Sequence, residues 1–408
     1  MSDRGSALAR GTVWRSVARW GLLLAVAVGG FLRLYRIGDQ GLWIDEAFSL
    51  WLARSPSASQ PLVDMVRWVS TVDQHPPLYY ALLHGWMRIV GDAEGAVRAL
   101  SALLGVLTIP VVYALGWRLA DDRVGLAAAL ILALSPFHVR FAQETRMYTL
   151  LTLSVSLSLY AALCLFERRD GMPLFPSSGV SSESLDGPGG REERAPRWLA
   201  LLPWGGYVIF SAVALWTHNA AVLFPLSLNL FVFGAALIET GRGPGRQRLR
   251  AWALAQAAVL LLWLPWLPSF ISQAVGVYRR FWLPAPTLGT VLSVVSVLLC
   301  DFLPLPLPVI VAVDVALIGL ALLGLRYLRR SNRHGSLHGA FLWVVFLVPL
   351  MGESVISLWR PVLHAPTLIW TSIPVILLVS AGLGEMRQHF SSRWVFLLAL
   401  VAVLVVNG

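Results

Sequence analysis

Lysine is absent from the 408-residue chain, and charge of either sign is scarce: charged residues make up 13% of it. A soluble protein carries about 25%, so half the usual polar coat is missing, which argues against a globular domain that folds in water. Cysteine is nearly absent as well. Cys164 and Cys300 lie in apolar segments far apart in sequence, which excludes a disulfide framework and a cysteine metal motif. No repeat of 20–50 residues is visible, and no stretch is large and polar enough for a separate soluble domain.

What is present is long apolar blocks: 57% of residues are hydrophobic and the mean hydropathy is +0.69. Residues 19–35, 146–166 and 308–325 are three such blocks, each approaching the ~20 residues that cross a ~30 Å hydrocarbon layer. The first is too long, and too poorly followed by small residues, for a removable signal peptide. The pattern predicts an all-α polytopic membrane protein, a single membrane domain over 1–408 with crossings at 17–35, 97–119, 123–140, 146–166, 198–217, 219–239, 251–268, 308–327, 339–358, 367–386 and 394–408. Residues 43–54, 61–70, 77–91 and 288–305 are too short or too polar for full spans and suit interfacial or re-entrant helices. The chain stops inside an apolar run, so either the last helix is short or the sequence continues beyond it.

The formal net charge is +10. In a soluble protein this would suggest nucleic acid; here it reads as arginine flanking membrane spans, and no nucleic acid is expected. With a cytoplasmic N-terminus and the four short stretches outside the count, 21 of the 32 arginines fall on the inside, as the positive-inside rule requires. Counting 77–91 as a crossing would invert the later loops. The longest internal loop, 167–197, is rich in Ser, Gly, Pro and charge and reads as a disordered cytoplasmic insertion. The 18 tryptophans read mostly as interfacial anchors, and Arg279 and Arg280 as contacts to lipid headgroups. Asp314, alone in an apolar run, is either paired within the bundle or near the path of something polar.

This topology collects polar groups on the external face. Asp45 and Glu46 follow the first span in GLWIDEAFSLW; Gln74 and His75 precede two prolines in DQHPPLYY. Gln143, Glu144, Arg146 and Tyr148 sit in FAQETRMY, His218 and Asn219 in WTHNA, and Arg360 and His364 in a later external loop. Carboxylates suit general-base work or a hard metal, and arginines suit phosphate. Each also has a plainer role: Asp45 and Glu46 as helix-start carboxylates, His75 as a turn residue before proline, Arg146 as a snorkelling interfacial side chain, His218 as a helix-end histidine. What favours function is that independent loops deliver them to one boundary.

These motifs, with R-x-x-S-A-L-x-G at 98–105 and S-P-x-x-x-x-x-x-Q-E-x-R-M-Y at 135–148, resemble the membrane-embedded GT-C glycosyltransferases of the protein O-mannosyltransferase and aminoarabinose-transferase type. The resemblance covers about residues 30–225, with 17–166 carrying the motifs and 198–408 matching only as hydrophobic pattern. It implies inverting transfer of a hexosyl or pentosyl group from a polyprenyl-phosphate donor to an acceptor hydroxyl of a protein, lipid or envelope glycan. The site would face the exterior of the plasma membrane. It further implies Asp45 as general base, Glu46 supporting the acceptor and Glu144 as a second carboxylate. His75, Gln143, Arg146, Tyr148 and His218 would bind substrate or its leaving phosphate, and Asp45 with Glu144 could hold Mg²⁺ or Mn²⁺. In RPVLHAPTLIW the family's usual arginine is replaced by Pro366, leaving Arg360 or His364 to substitute. The competing reading, a lipid or sugar transporter, would instead place polar groups near the bilayer midplane in two related halves.

Overall fold

A computed structural model describes residues 2–54, 61–166, 201–238, 246–280, 286–300, 306–331 and 335–389. Every regular element among them is helical. The order is α1 (Ser2–Leu34), α2 (Ile44–Ala53), α3 (Pro61–Val72), α4 (Leu78–Val90), α5 (Glu94–Leu119), α6 (Asp122–Leu134), α7 (Pro136–Ala142) and α8 (Tyr148–Phe166). Then come α9 (Leu202–Leu215), α10 (Leu223–Ile238), α11 (Arg246–Trp263), α12 (Leu267–Arg280), α13 (Leu288–Cys300), α14 (Leu307–Ser331), α15 (Gly335–Ser357) and α16 (Ser372–His389). Short 3₁₀ turns occupy Asn219–Val222, Leu264–Trp266 and Ala365–Thr371.

Eight described helical segments are long and apolar enough to cross a membrane, nine if the bent pair α6–α7 counts as one. This is a multi-pass membrane protein. The eleven crossings read from the sequence are therefore not all found: α9 has only 14 helical residues, and 394–408 lies outside the described residues, as does the loop 167–197. The three short stretches 43–54, 61–70 and 77–91 form α2, α3 and α4, of 10, 12 and 13 residues, too short to span.

The middle of the bundle is α8 and the segment Ala365–Arg387, with 83% and 89% of their apolar windows buried, whereas α14 has 17%. A helix apolar all round can face either protein or lipid; serine and threonine decide which. On α8 the hydroxyls of Thr152 and Ser156 donate to the carbonyls of Tyr148 and Thr152 (2.8 and 2.7 Å), and Ser158 meets Ser211 of α9 at 2.8 Å. Small polar residues let these helices approach and pair their hydroxyls away from lipid. Glycine does the same where α14 crosses α16: a Cβ at Gly324 or Gly382 would lie 2.0 Å from the carbonyl oxygen of Leu378 or Leu320.

The expected crossing 123–140 breaks at Ser135–Pro136, and its halves bend by 57°. Proline offers no N–H to the carbonyl four residues back, here Leu132. The buried Arg33 guanidinium fills the gap, donating to the carbonyls of Leu132 (3.0 Å), Ala133 (2.9 Å) and Gly29 (3.0 Å). Room for it comes from Gly105, where a Cβ would stand 3.1 Å from the Arg33 Nε. The bend ends α7 early and turns residues 143–147 into the bundle, beside the start of α2.

Candidate active site

Asp45 and Glu46 are adjacent in the first turn of α2, yet their surroundings are opposite. Glu46 is fully buried. Arg98 of α5 grips it with two bonds, Nε to Oε1 at 2.8 Å and Nη2 to Oε2 at 2.6 Å. The Thr145 and Trp43 N–H groups add bonds at 2.8 and 3.3 Å. Burial opposes the charge, but Arg98 and the two N–H donors overcome it, so the carboxyl titrates below its ordinary range. Arg98 also donates to the carbonyls of Ile37, Gln40 and Gly41 at 2.9, 2.7 and 3.1 Å. Glu46 thus fastens α2, α5 and the 143–147 loop together from a fully buried position, so direct contact with an acceptor, expected from the sequence, is not what this geometry offers.

Asp45 has a side chain 46% exposed and stands 3.9 Å from the Arg146 guanidinium. It lines a cavity of 610 Å³, together with Trp43, Arg140, Glu144, Tyr148 and His364. Glu144 is held there by Arg140 at 3.5 Å, and its Oε2 is buried without a hydrogen-bond partner. Burial, with a smaller contribution from Glu46 and against the pull of Arg140, raises its carboxyl to about 7. Burial and then Arg140 lower His364, which favours its neutral form. Gln143 turns away from the cavity: its amide donates to the carbonyls of Leu32 (2.9 Å) and Tyr35 (3.0 Å), at the end of α1. It caps a helix rather than facing a ligand.

A second cavity, 260 Å³, is lined by Gln74, His75, His218, Glu353 and Arg360. His75 is oriented by Asp73, whose Oδ1 lies 3.2 Å from the His75 Nδ1 and whose Oδ2 accepts from the Tyr80 hydroxyl at 2.6 Å. Burial works against the Asp73 charge; His75, Tyr80 and the Gln74 N–H outweigh it and lower the carboxyl to about 2. The loop itself is pinned from the later half of the chain: Gln273 donates to the Asp73 carbonyl (2.9 Å), and Asn219 donates to the Gln74 carbonyl (2.7 Å). His218 Nδ1 accepts from the Ala220 N–H at 3.1 Å, which puts the ring proton on Nε2, and this nitrogen is buried without a partner. Burial first, then His75 and Arg146, hold the ring far below the ordinary histidine range. Arg360 donates to the Ala274 carbonyl.

A line of side chains joins the two cavities. Arg146 is buried, with Nη1 3.3 Å from the Ser49 hydroxyl and 3.5 Å from the Asp45 carbonyl. Its guanidinium carbon stands 5.9 Å from the Tyr148 ring centre. Tyr148 lies 6.2 Å from His218, and His218 lies 5.2 Å from His75. All the predicted residues except Glu46 and Gln143 therefore line a cavity or this connecting row. Arg98, Asp73, Gln273 and Glu353 were not anticipated. Two of these carried a signal in the sequence, since Arg98 opens and Asp73 stands within the motifs quoted above.

Both the sequence and the fold have counterparts among known proteins. Residues 74–181 match the dolichyl-phosphate-mannose-protein mannosyltransferase family. The fold matches ArnT from Cupriavidus metallidurans in the apo state with a TM-score of 0.59 and 17% identity, covering 90% of this chain and 60% of that one. The chain has the GT-C glycosyltransferase fold. The oligosaccharyltransferase of Archaeoglobus fulgidus, crystallised with Zn and sulfate, shares this fold at a TM-score of 0.59 and 14% identity, over 95% of this chain and 52% of that one. ArnT bound to undecaprenyl phosphate matches at a TM-score of 0.57 and 17% identity, over 89% and 60%. The chain thus spans about half to three-fifths of the length of these GT-C structures. No curated protein sequence matches it.

Proposed function

We propose that the chain is a membrane glycosyltransferase that moves a sugar from a polyprenyl-phosphate carrier to an acceptor hydroxyl, with inversion, on the outer face of the plasma membrane. The observation that carries this reading is the row Asp45–Arg146–Tyr148–His218–His75, which joins the cavity that holds Asp45 and Glu144 to the one that holds His75, His218 and Arg360. The match to structures of the same fold, one bound to undecaprenyl phosphate, supports it. Polar groups gather at one end of the bundle, unlike the midplane site of a transporter.

In this reading the smaller cavity takes the sugar phosphate and the larger the acceptor. Asp45 accepts the proton of the acceptor hydroxyl as that oxygen attacks the anomeric carbon, and the carbon–oxygen bond to phosphate breaks with its electrons left on the carrier. Arg146, His75, His218 and Arg360 meet the phosphate, where donors fixed in advance act most strongly. A lipid phosphate leaves readily, so most of the enzyme's task is placing one hydroxyl and holding charge. Among the described residues no group of three His, Cys, Asp or Glu is placed to hold an ion. Asp45 and Glu144 would be the two protein ligands of a Mg²⁺ or Mn²⁺ completed by substrate oxygens, and such an ion would supply charge neutralisation. The test is sugar transfer by the purified protein from a panel of radiolabelled polyprenyl-phosphate sugars, offered with peptide, lipid and glycan acceptors. Turnover with one pair is expected; no turnover with any donor by a folded protein overturns the reading.

Glu144 gives this site a pH signature. Its carboxyl near 7 is above the unfolded value of about 4.3, so the folded state retains a proton that the unfolded state has lost. Stability therefore declines as pH rises from about 4 to 7. If the charged form positions the acceptor, kcat/KM rises with an apparent pKa of about 7. A Glu144→Gln variant lowers the plateau and removes that step. A pH–rate profile checks both, and a step that survives in the variant assigns it elsewhere.

A further inference from the structure

One segment of chain separates the two cavities. Residues 358–364 connect α15 to the 3₁₀ turn Ala365–Thr371, and at His364 the backbone is extended (φ −148°, ψ 131°). From Arg360 to Leu363 its side chains alternate: Arg360 and Val362 line the smaller cavity, whereas Pro361 and Leu363, with His364 after them, line the larger. A single strip of chain thus presents side chains to both cavities.

Two side chains of α15 hold this strip. The Ser357 hydroxyl oxygen accepts from the Val362 and Leu363 N–H groups at 3.0 and 2.8 Å. Glu353, one turn earlier and 3% exposed, accepts from the Thr367 hydroxyl at 2.8 Å and from the His364 backbone N–H. A carboxyl group this buried needs hydrogen-bond partners, and both of these belong to the strip or the turn that follows it.

We propose that residues 360–367 form the wall between donor and acceptor chambers and that Glu353 is its positioning residue. The names of the chambers rest on the function proposed above; the wall itself does not. Fixed in this way, neighbouring residues serve different ligands: Arg360 faces the carrier phosphate and His364 the acceptor. Were the strip to shift by one residue, Pro361 and Val362 would each face the other chamber.

Thiol labelling with polyprenyl phosphate as the probe tests this without measuring turnover. Val362→Cys and Leu363→Cys are made separately in a chain whose Cys164 and Cys300 are replaced by alanine. At about ten times its dissociation constant, the lipid is expected to slow labelling roughly tenfold at 362 and to leave 363 nearly unchanged. Equal protection at both positions, or at neither, overturns the wall. Adding Glu353→Ala is expected to abolish the contrast. Thr367→Val, which keeps the shape and loses the hydroxyl, is expected to weaken it and covers the case in which the alanine variant does not fold. A contrast unchanged in folded Glu353→Ala, or in Thr367→Val if only that variant folds, removes Glu353 from this role. Absent sugar transfer beside an intact contrast counts against the reaction and leaves the wall standing.

Discussion

Replacing Asp45 by asparagine is expected to lower turnover by about 10²-fold or more, the range that one general base contributes, in a protein that still folds. The variant keeps the shape of the side chain and removes its ability to take a proton. Asp45 is half exposed, and its nearest charge, Arg146, is 3.9 Å away, so its structural contribution is small. A change within about 0.5 kcal/mol in unfolding free energy is the expectation for such a position. Single-turnover transfer separates binding from chemistry: the rate constant falls while the affinity for donor stays close to the parent's. Equal rates in the two proteins would take Asp45 out of the reaction.

The neighbouring carboxylate is expected to behave in the opposite way. Arg98→Met leaves Glu46 buried and charged with only N–H donors, and breaking such a pair from one side costs about 3–5 kcal/mol. Adding Glu46→Gln removes the stranded charge, so the double variant is expected to be more stable than Arg98→Met alone, with a coupling of about 0.5–3 kcal/mol. Recovery stays partial, because the carbonyls of Ile37, Gln40 and Gly41 also lose their donor. Denaturant unfolding in detergent of the parent, the two single variants and the double variant measures this. Strict additivity would mean that the pair contributes nothing beyond its separate members.

How far these roles could be read from the chain depends on sequence distance. The long helices were legible because an apolar run of membrane length has few other uses. The convergence of loops was legible because alternate loops of a multi-pass chain share a side. Pro136 was visible, yet the apolar length around it suggested one straight crossing, and the partner of the freed Leu132 carbonyl is Arg33, about a hundred residues earlier. Glu46 looked like its neighbour Asp45 because nothing local announces that Arg98, 52 residues on, occupies it. Gln143 sat inside a motif whose other members line the cavity, but its partners are at the end of α1. Asp73 opens a quoted motif, but its role shows only in the fold, where its two oxygens meet the His75 ring and the Tyr80 hydroxyl. Glu353 lies within an apolar span, where one carboxylate attracts little notice.

The guanidinium that caps the broken helix also constrains how the protein is made. Arg33 leaves the ribosome about a hundred residues before the carbonyls of Leu132 and Ala133 that receive it. During that interval α1 must sit in or beside the membrane with an arginine near its end that has, of its carbonyl partners, only that of Gly29 in its own helix; the cost stays below the ~2.5–3.5 kcal/mol of an arginine at a helix centre. The first helix is therefore inserted before it can be fully seated, and α6 completes it. Assembly of the N-terminal half has a built-in order, in which arrival of the proline-broken pair closes the account opened by the first span.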